Sequence, residues 1–322
     1  MVECEITNAC NLRCIHCYNR SGDGPRKELA PYLIKELMLQ LKGIGLRYFD
    51  MVGGEPFTYP WLFELLEFAD RIGLRVIINT NGTLVTKEMA LRLKEANPHS
   101  LIGVSLDGSC PQINDQIRGK ESFLKAVKGA ENLMEAGFNV TLLFVINKIN
   151  WRDFERYVRF AREIGVRAIY VDRFMPVGRG KINEEKLNMS VEEWVEALEF
   201  INSVVEGSSR DIIFYIGESI NGEPCTAGEE HFSILSDGTV VPCGHFRYES
   251  RFYLGNVKDE PIKKIFERGR KLFGKPAACI GCGEYGGGCF GGCRASAVAF
   301  AGKIDLPDPV ICEYMRKTRR KP

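Results

Sequence analysis

The chain carries twelve cysteines, and ten of them fall into two groups spaced for metal. The first is Cys10, Cys14 and Cys17, with gaps of three and two residues. Three thiolates on one loop can bind three irons of a four-iron cluster and leave the fourth open, as a catalytic cluster requires. The plainer readings are a structural zinc site completed by His16, or ordinary loop cysteines; zinc loops usually space their ligands as pairs. The second group is Cys225, Cys243, Cys279, Cys282, Cys289, Cys293 and Cys312. Its plainer reading is a pair of zinc sites completed by Cys4 or histidines. Cys4 and Cys110 stand apart and read as small buried hydrophobes.

A disulfide framework suits a small secreted domain. This chain has 322 residues, and its first residues show neither the basic nor the apolar part of an export signal, so the cytoplasm is the expected location. Hydrophobic residues at 45% and charged residues at 26% fit a globular protein with a real core. Lys+Arg (43) and Asp+Glu (42) nearly cancel, so no overall field favours nucleic acid or an anionic membrane. The longest apolar runs, such as Ala295–Ala301, fall short of the roughly 20 residues of a spanning helix.

The elements that must position these thiols alternate. Strands are expected at Val2–Ile6, Arg47–Val52, Arg75–Thr80, Leu101–Leu106, Asn139–Ile146 and Ala168–Asp172. Helices are expected at Pro31–Lys42, Trp61–Arg71, Lys87–Ala96, Phe123–Ala136, Asp153–Ile164 and Val191–Glu206. Six βα units with right-handed crossovers curl into a partial parallel barrel, too few for the eight-unit closed form. The fold class is therefore α/β: a partial (βα)6 parallel barrel over residues 1–206, then a small irregular cysteine-rich domain over 207–322. The boundary is placed at 207–218, where glycines, short strand signals and the Ser236-Asp237-Gly238 turn replace the alternation. Such a segment has little apolar core of its own, and metal clusters can serve as one. The basic run Arg316–Lys321 reads as a solvated tail.

The first cysteine loop, placed directly after the first strand, resembles the signature of the radical S-adenosylmethionine (radical SAM) enzymes. Other segments resemble that family in the same order. Gly53-Gly54-Glu55-Pro56 matches a GGEP motif, which offers backbone and carboxylate acceptors to the methionine amino group; Pro56 fixes the turn. Ser105, in Val104-Ser105-Leu106-Asp107-Gly108, and Arg118, in Asn114-Asp115-x-x-Arg118-Gly119, match the pair that holds the methionine carboxylate. An arginine fork fits a carboxylate bidentately; otherwise Arg118 serves the fold, for instance by pairing with Asp115. His16 sits where the family packs an aromatic ring near the adenine. The loop from Phe174 to Gly180, with Met175, resembles the one that passes the adenine. Asn79 either lines the ligand cleft or caps its strand, and Asp107 either joins the site or merely ends a strand. All of these lie at C-terminal ends of successive strands, where α/β folds bind ligands.

The second group resembles the SPASM extension of radical SAM enzymes, which carries auxiliary iron–sulfur clusters. By that resemblance Cys279, Cys282, Cys289 and Cys312 complete one cluster, and Cys225, Cys243 and Cys293 bind another with an open or non-cysteine position. Six residues separate Cys282 from Cys289 where the common pattern has five, an insertion that Gly286-Gly287-Gly288 accommodates. His231 stands where relatives often supply the eighth cysteine; a histidine, an open iron or a smaller cluster are the options. Gly244 and His245 follow Cys243, where sulfatase-maturing relatives carry an aspartate base directly after the cysteine, so that activity is not expected.

The resemblance implies S-adenosylmethionine, one catalytic [4Fe-4S] cluster, two auxiliary clusters and an external electron donor such as ferredoxin or flavodoxin. The expected activity is oxidation of a peptide or protein side chain by a maturase. Substrate recognition then falls to the cleft or to a separate docking protein. The rivals are a haem-pathway decarboxylase of a tetrapyrrole and a non-catalytic electron carrier. The intact Glu55, Ser105 and Arg118 argue against the carrier, which has no use for a methionine site.

Overall fold

The computed structural model describes residues 1–270 and 272–319. The last residues of the basic run at 316–321 lie outside that set.

The expected alternation is present. Strands β1 (Val2–Thr7), β2 (Tyr48–Gly53), β3 (Arg75–Thr80), β4 (Leu101–Ser105), β5 (Val140–Ile146) and β6 (Ala168–Arg173) are parallel neighbours in that order. Between them run α1 (Pro31–Gly43), α2 (Leu62–Arg71), α3 (Lys87–Ala96), α4 (Pro111–Arg118), α5 (Ser122–Glu135) and α6 (Phe154–Glu163). Two one-turn helices, α7 (Arg179–Ile182) and α8 (Glu184–Leu187), precede the long α9 (Val191–Gly207). Ser190 and Glu193 form a capping box that starts α9, with Ser190 Oγ accepting from Glu193 N at 3.2 Å.

The parallel array does not stop at six. A seventh strand, β7 (Ile213–Ile216), pairs in parallel with β6 inside the stretch read as a boundary. Its four residues are too few to show a period in sequence. After the short α10 (Glu218–Asn221), the cysteine-rich segment adds β8 (Phe232–Ile234) in parallel with β1, then β9 (Thr239–Val241) and β10 (Gly255–Asn256) antiparallel. The order is β10-β9-β8-β1-β2-β3-β4-β5-β6-β7, one ten-stranded sheet to which both halves of the chain contribute. The chain closes with α11 (Ile262–Gly269), α12 (Arg294–Ala301) and α13 (Pro309–Arg319).

Strand alternation sorts the side chains. Cys4, Ile6, Phe49, Met51, Val76, Ile78, Val104, Phe144 and Val171 are buried in the main core, which the helices complete. Their neighbours along each strand occupy the other, inner face: Glu3 and Glu5, Asp50, Asn79, Gly103 and Ser105, Leu143, Tyr170 and Asp172. The register aligns Glu3 with Asp50, Asn79 with Gly103, Ser105 with Leu143, and Leu143 with Tyr170. A polar inner face against an apolar outer one marks where chemistry is placed.

The C-terminal segment has a second, smaller core of Met175, Leu235, Val241, Phe246, Phe252 and Ala295. It is tied to the barrel by a fully buried ion pair, Arg173 at the end of β6 with Asp308 before α13; Arg173 Nη2 also donates to Ser296 Oγ on α12 at 2.9 Å.

Candidate active site

The cysteine loop leaves β1 and is clamped from below by the glycines after β2. Gly54 N donates to Thr7 O at 2.7 Å and Glu55 N to Ala9 O at 2.8 Å. A Cβ on Gly54 would overlap the Ala9 carbonyl, and Gly53 (φ +155) abuts the Thr7 carbonyl. The glycines therefore serve close backbone approach as well as any ligand. Glu55 is fully buried, and its carboxylate accepts from Thr80 Oγ1 (2.6 Å), Asn81 N (2.7 Å) and Phe57 N (3.2 Å). Burial raises this carboxyl above its ordinary value, with those donors working in the opposite direction. A carboxylate has about four lone-pair sites, so three donors leave capacity for one more. Asn81 Nδ2 in turn donates to Asn11 Oδ1 at 2.9 Å on the cysteine loop and lies 3.9 Å from Cys10 Sγ.

The three thiols face common surroundings. Cys10 Sγ accepts from Leu12 N at 3.4 Å, Cys14 Sγ lies 3.7 Å from Arg118 O, and Cys17 Sγ 3.8 Å from Ser21 Oγ. Burial, with charge on the neighbouring cysteines adding to it, pushes Cys10 up to about 11 and Cys14 to about 12. A bound cation reverses that balance, because a coordinating thiol is deprotonated.

Arg118, at the C-terminal end of α4, is buried with Nε 2.8 Å from Asp107 Oδ2. It pairs with Asp107 and not with Asp115, whose carboxylate accepts from Glu121 N, Phe123 N and Ser122 Oγ at the start of α5. Asp107 is fully buried; Oδ1 accepts from Val145 N at 2.8 Å, and Oδ2 also lies 3.3 Å from His16 Nε2. Burial opposes the charged form of Arg118, but Asp107 and the Cys14 thiol outweigh it and raise its pKa. Burial lowers His16 to about 4 against the pull of Asp107, so the imidazole is neutral near pH 7.

His16 Nδ1 and the Tyr157 hydroxyl on α6 are buried here without a hydrogen-bond partner, while Arg118 Nε and Asp107 Oδ2 meet each other as an ion pair. Orphaned polar groups of this kind call for a missing ligand or water. The donor set fits a zwitterionic amino-acid group beside a cluster.

Arg179, in the loop after β6, straps the cysteine loop. It donates to Cys14 O (2.9 Å), Ser21 O (2.8 Å) and Asp23 Oδ1 (2.9 Å), and its backbone N donates to Cys17 O at 2.9 Å. Met175 of the same loop is buried in the second core against the C-terminal segment. Asn79 is turned along the inner face, its Nδ2 donating to both Asp50 oxygens at 3.1 Å; Ser105 lies on that face at the end of β4.

The thiols of the second group influence one another. Burial raises Cys243 and Cys293, and charge at Cys225 raises both further; likewise Cys279 and Cys312 are raised by burial and by charge at Cys282 and Cys289. His231 turns elsewhere, its Nε2 lying 3.5 Å from Glu3 Oε2. It is His245 that adjoins a thiol, with Nδ1 3.5 Å from Cys243 Sγ. Cys4 is buried in the main core, and Cys110 is half-buried at the start of α4.

The sequence matches the radical SAM superfamily over residues 4–161 and an iron–sulfur cluster-binding domain, SPASM, over residues 225–283. Mycofactocin maturase MftC of Mycobacterium tuberculosis (strain CDC 1551 / Oshkosh) is 31% identical over 319 residues, spanning 95% of this chain and 81% of that protein. Fe-coproporphyrin III synthase of Methanosarcina barkeri is 38% identical over 357 residues, spanning 97% and 87%. The crystal structure of Streptococcus suis SuiB bound to S-adenosylmethionine shares the fold, with a TM-score of 0.77 at 18% identity, covering 97% of this chain and 76% of SuiB. Fold and site together define an α/β enzyme that joins a parallel partial barrel to an iron–sulfur segment. The chain belongs to the radical SAM superfamily, with a SPASM domain at its C-terminal side.

Proposed function

We propose that the chain holds S-adenosylmethionine over a [4Fe-4S] cluster on Cys10, Cys14 and Cys17 and oxidatively modifies a peptide or protein side chain. When bound, the cofactor supplies a 5′-deoxyadenosyl radical that takes a hydrogen atom from carbon; the protein positions and shields it. In this reading Glu55 and the Gly53 and Gly54 backbone receive the methionine amino group, while Arg118 and Ser105 hold its carboxylate. Asp107 keeps Arg118 and His16 in place, and Arg179 closes the loop. Two auxiliary clusters sit on Cys279, Cys282, Cys289 and Cys312, and on Cys225, Cys243 and Cys293, within a unit that begins at residue 207. An external ferredoxin or flavodoxin provides electrons, and the setting is the cytoplasm.

The charge of the inner face carries the choice of substrate. Glu3, Glu5, Asp50 and Asp172 lie there, and Arg247, which reaches Glu5 from the C-terminal segment, is already paired with it at 3.0 Å. Burial holds the Asp50 carboxyl well above its ordinary value and Arg247 is spent on Glu5, so a tetrapyrrole bearing several carboxylates would lack counter-charges on this face. A neutral or cationic peptide side chain needs none. A tetrapyrrole substrate is favoured by the 38% identity to Fe-coproporphyrin III synthase and is the rival to test.

The test is incubation of the anaerobically reconstituted protein with S-adenosylmethionine and dithionite. One arm contains short peptides encoded beside its gene, the other an iron porphyrin carrying carboxylates. A mass change in a peptide supports the proposal. Loss of carbon dioxide from the porphyrin, with every peptide unchanged, refutes it.

A further inference from the structure

The cysteine loop and the C-terminal segment meet at two rings. His245 Nδ1 lies 3.5 Å from Cys243 Sγ, and the imidazole stands 5.0 Å from the Tyr18 ring, centroid to centroid, at a tilt of 46°. Tyr18 directly follows Cys17, so this contact joins the two thiol groups through side chains. The Arg247 guanidinium lies 4.9 Å over the Tyr18 ring from another side. Arg247 is itself fixed, donating to Glu5 Oε2 and to Gly244 O at 3.0 Å each and touching Asn19 Oδ1. Gly244 admits the arrangement. A Cβ there would stand 3.0 Å from Tyr18 Cε2 and 3.5 Å from Glu3 Oε2, tight against the ring.

We propose that His245 donates Nδ1–H to the Cys243 sulfur, with Tyr18 holding the imidazole, and so sets how readily the cluster on Cys225, Cys243 and Cys293 is reduced. The inference rests on reading these cysteines as iron ligands. A metal-bound thiolate carries no proton and can only accept, so a hydrogen bond at this contact places the proton on Nδ1. The bond strengthens as negative charge on sulfur grows, which favours the reduced form; outer hydrogen bonds to ligating sulfur tune potential in this way. The Nε2 of His231 lies instead against Glu3 Oε2, at 3.5 Å.

The test uses the full-length protein, anaerobically reconstituted, with redox titration followed by electron paramagnetic resonance. Iron analysis of the unaltered protein comes first, and a C-terminal segment without iron would refute the underlying reading before any variant is compared. His245→Phe keeps a ring against Tyr18 and removes the donor. The expected result is full iron and one auxiliary signal about tenfold harder to reduce, a downward shift of about 59 mV for a one-electron couple. His245→Gln, which keeps an N–H donor, should lie nearer the unaltered value, and Tyr18→Leu should move the same signal downward by less. An unshifted potential in His245→Phe with full iron overturns the proposal. So does loss of about four irons, which would make His245 a ligand.

Discussion

The joint between barrel and C-terminal segment permits a worked prediction. Arg173 and Asp308 are both fully buried, and the guanidinium lies near the rings of Trp194 (5.6 Å) and Phe300 (5.8 Å). Asp308 also starts α13, accepting from Val310 N at 3.0 Å, and its carbonyl receives Cys312 N at 2.9 Å. Asp308→Asn retains the shape and the capping oxygen and removes only the charge, since asparagine caps as well as aspartate. The buried guanidinium is then left with Ser296 and no counter-charge. Breaking a buried pair in this way costs about 3–5 kcal/mol. At about 2–4 °C per kcal/mol, the unfolding midpoint should fall by roughly 10 °C. The assay is thermal unfolding of anaerobic holoprotein by circular dichroism, with iron released alongside. Because α13 carries Cys312 and α12 follows Cys293, auxiliary iron should leave first. The paired change Arg173→Met with Asp308→Leu should recover most of the loss, because apolar replacement of a buried pair is often neutral. A loss within about 1 kcal/mol for Asp308→Asn would refute the reasoning and make the pair incidental.

Other outcomes follow from the site. Arg118→Ala should weaken S-adenosylmethionine binding by about tenfold to a hundredfold, the loss of one charge-assisted hydrogen bond of roughly 1.5–3 kcal/mol, read by calorimetry. Gly54→Ala drives a methyl into the Ala9 carbonyl, so reconstituted protein should lose about four irons while the C-terminal clusters stay filled. Ser190→Ala should cost about 1 kcal/mol in denaturant unfolding through loss of the α9 cap, without change in cofactor affinity.

What the sequence showed and what it hid follow from range. Cysteine spacing, GGEP and the six longer strands are local patterns, and the structure has each strand within one or two residues of its expected place. The residues that were missed act over distance. Arg179 straps Cys14 from 165 positions away, and Arg247 meets Glu5 across 242. Tyr157 reads as one more apolar helix position, because only the fold buries its hydroxyl within the field of Asp107 and Arg118. The strand β7 was too short to carry a period, and β8 joins β1 only once the chain has returned across the sheet. The second core that takes in Met175 joins residues far apart in the chain, so spacing does not reveal it.

The central claim is that Cys10, Cys14 and Cys17 hold a cluster that cleaves S-adenosylmethionine. The direct measurement is 5′-deoxyadenosine formed by reconstituted protein with dithionite, compared with Cys14→Ala. The unaltered protein should form it, and the variant should form none while keeping about eight irons in the C-terminal segment. Equal formation by the variant would contradict the claim.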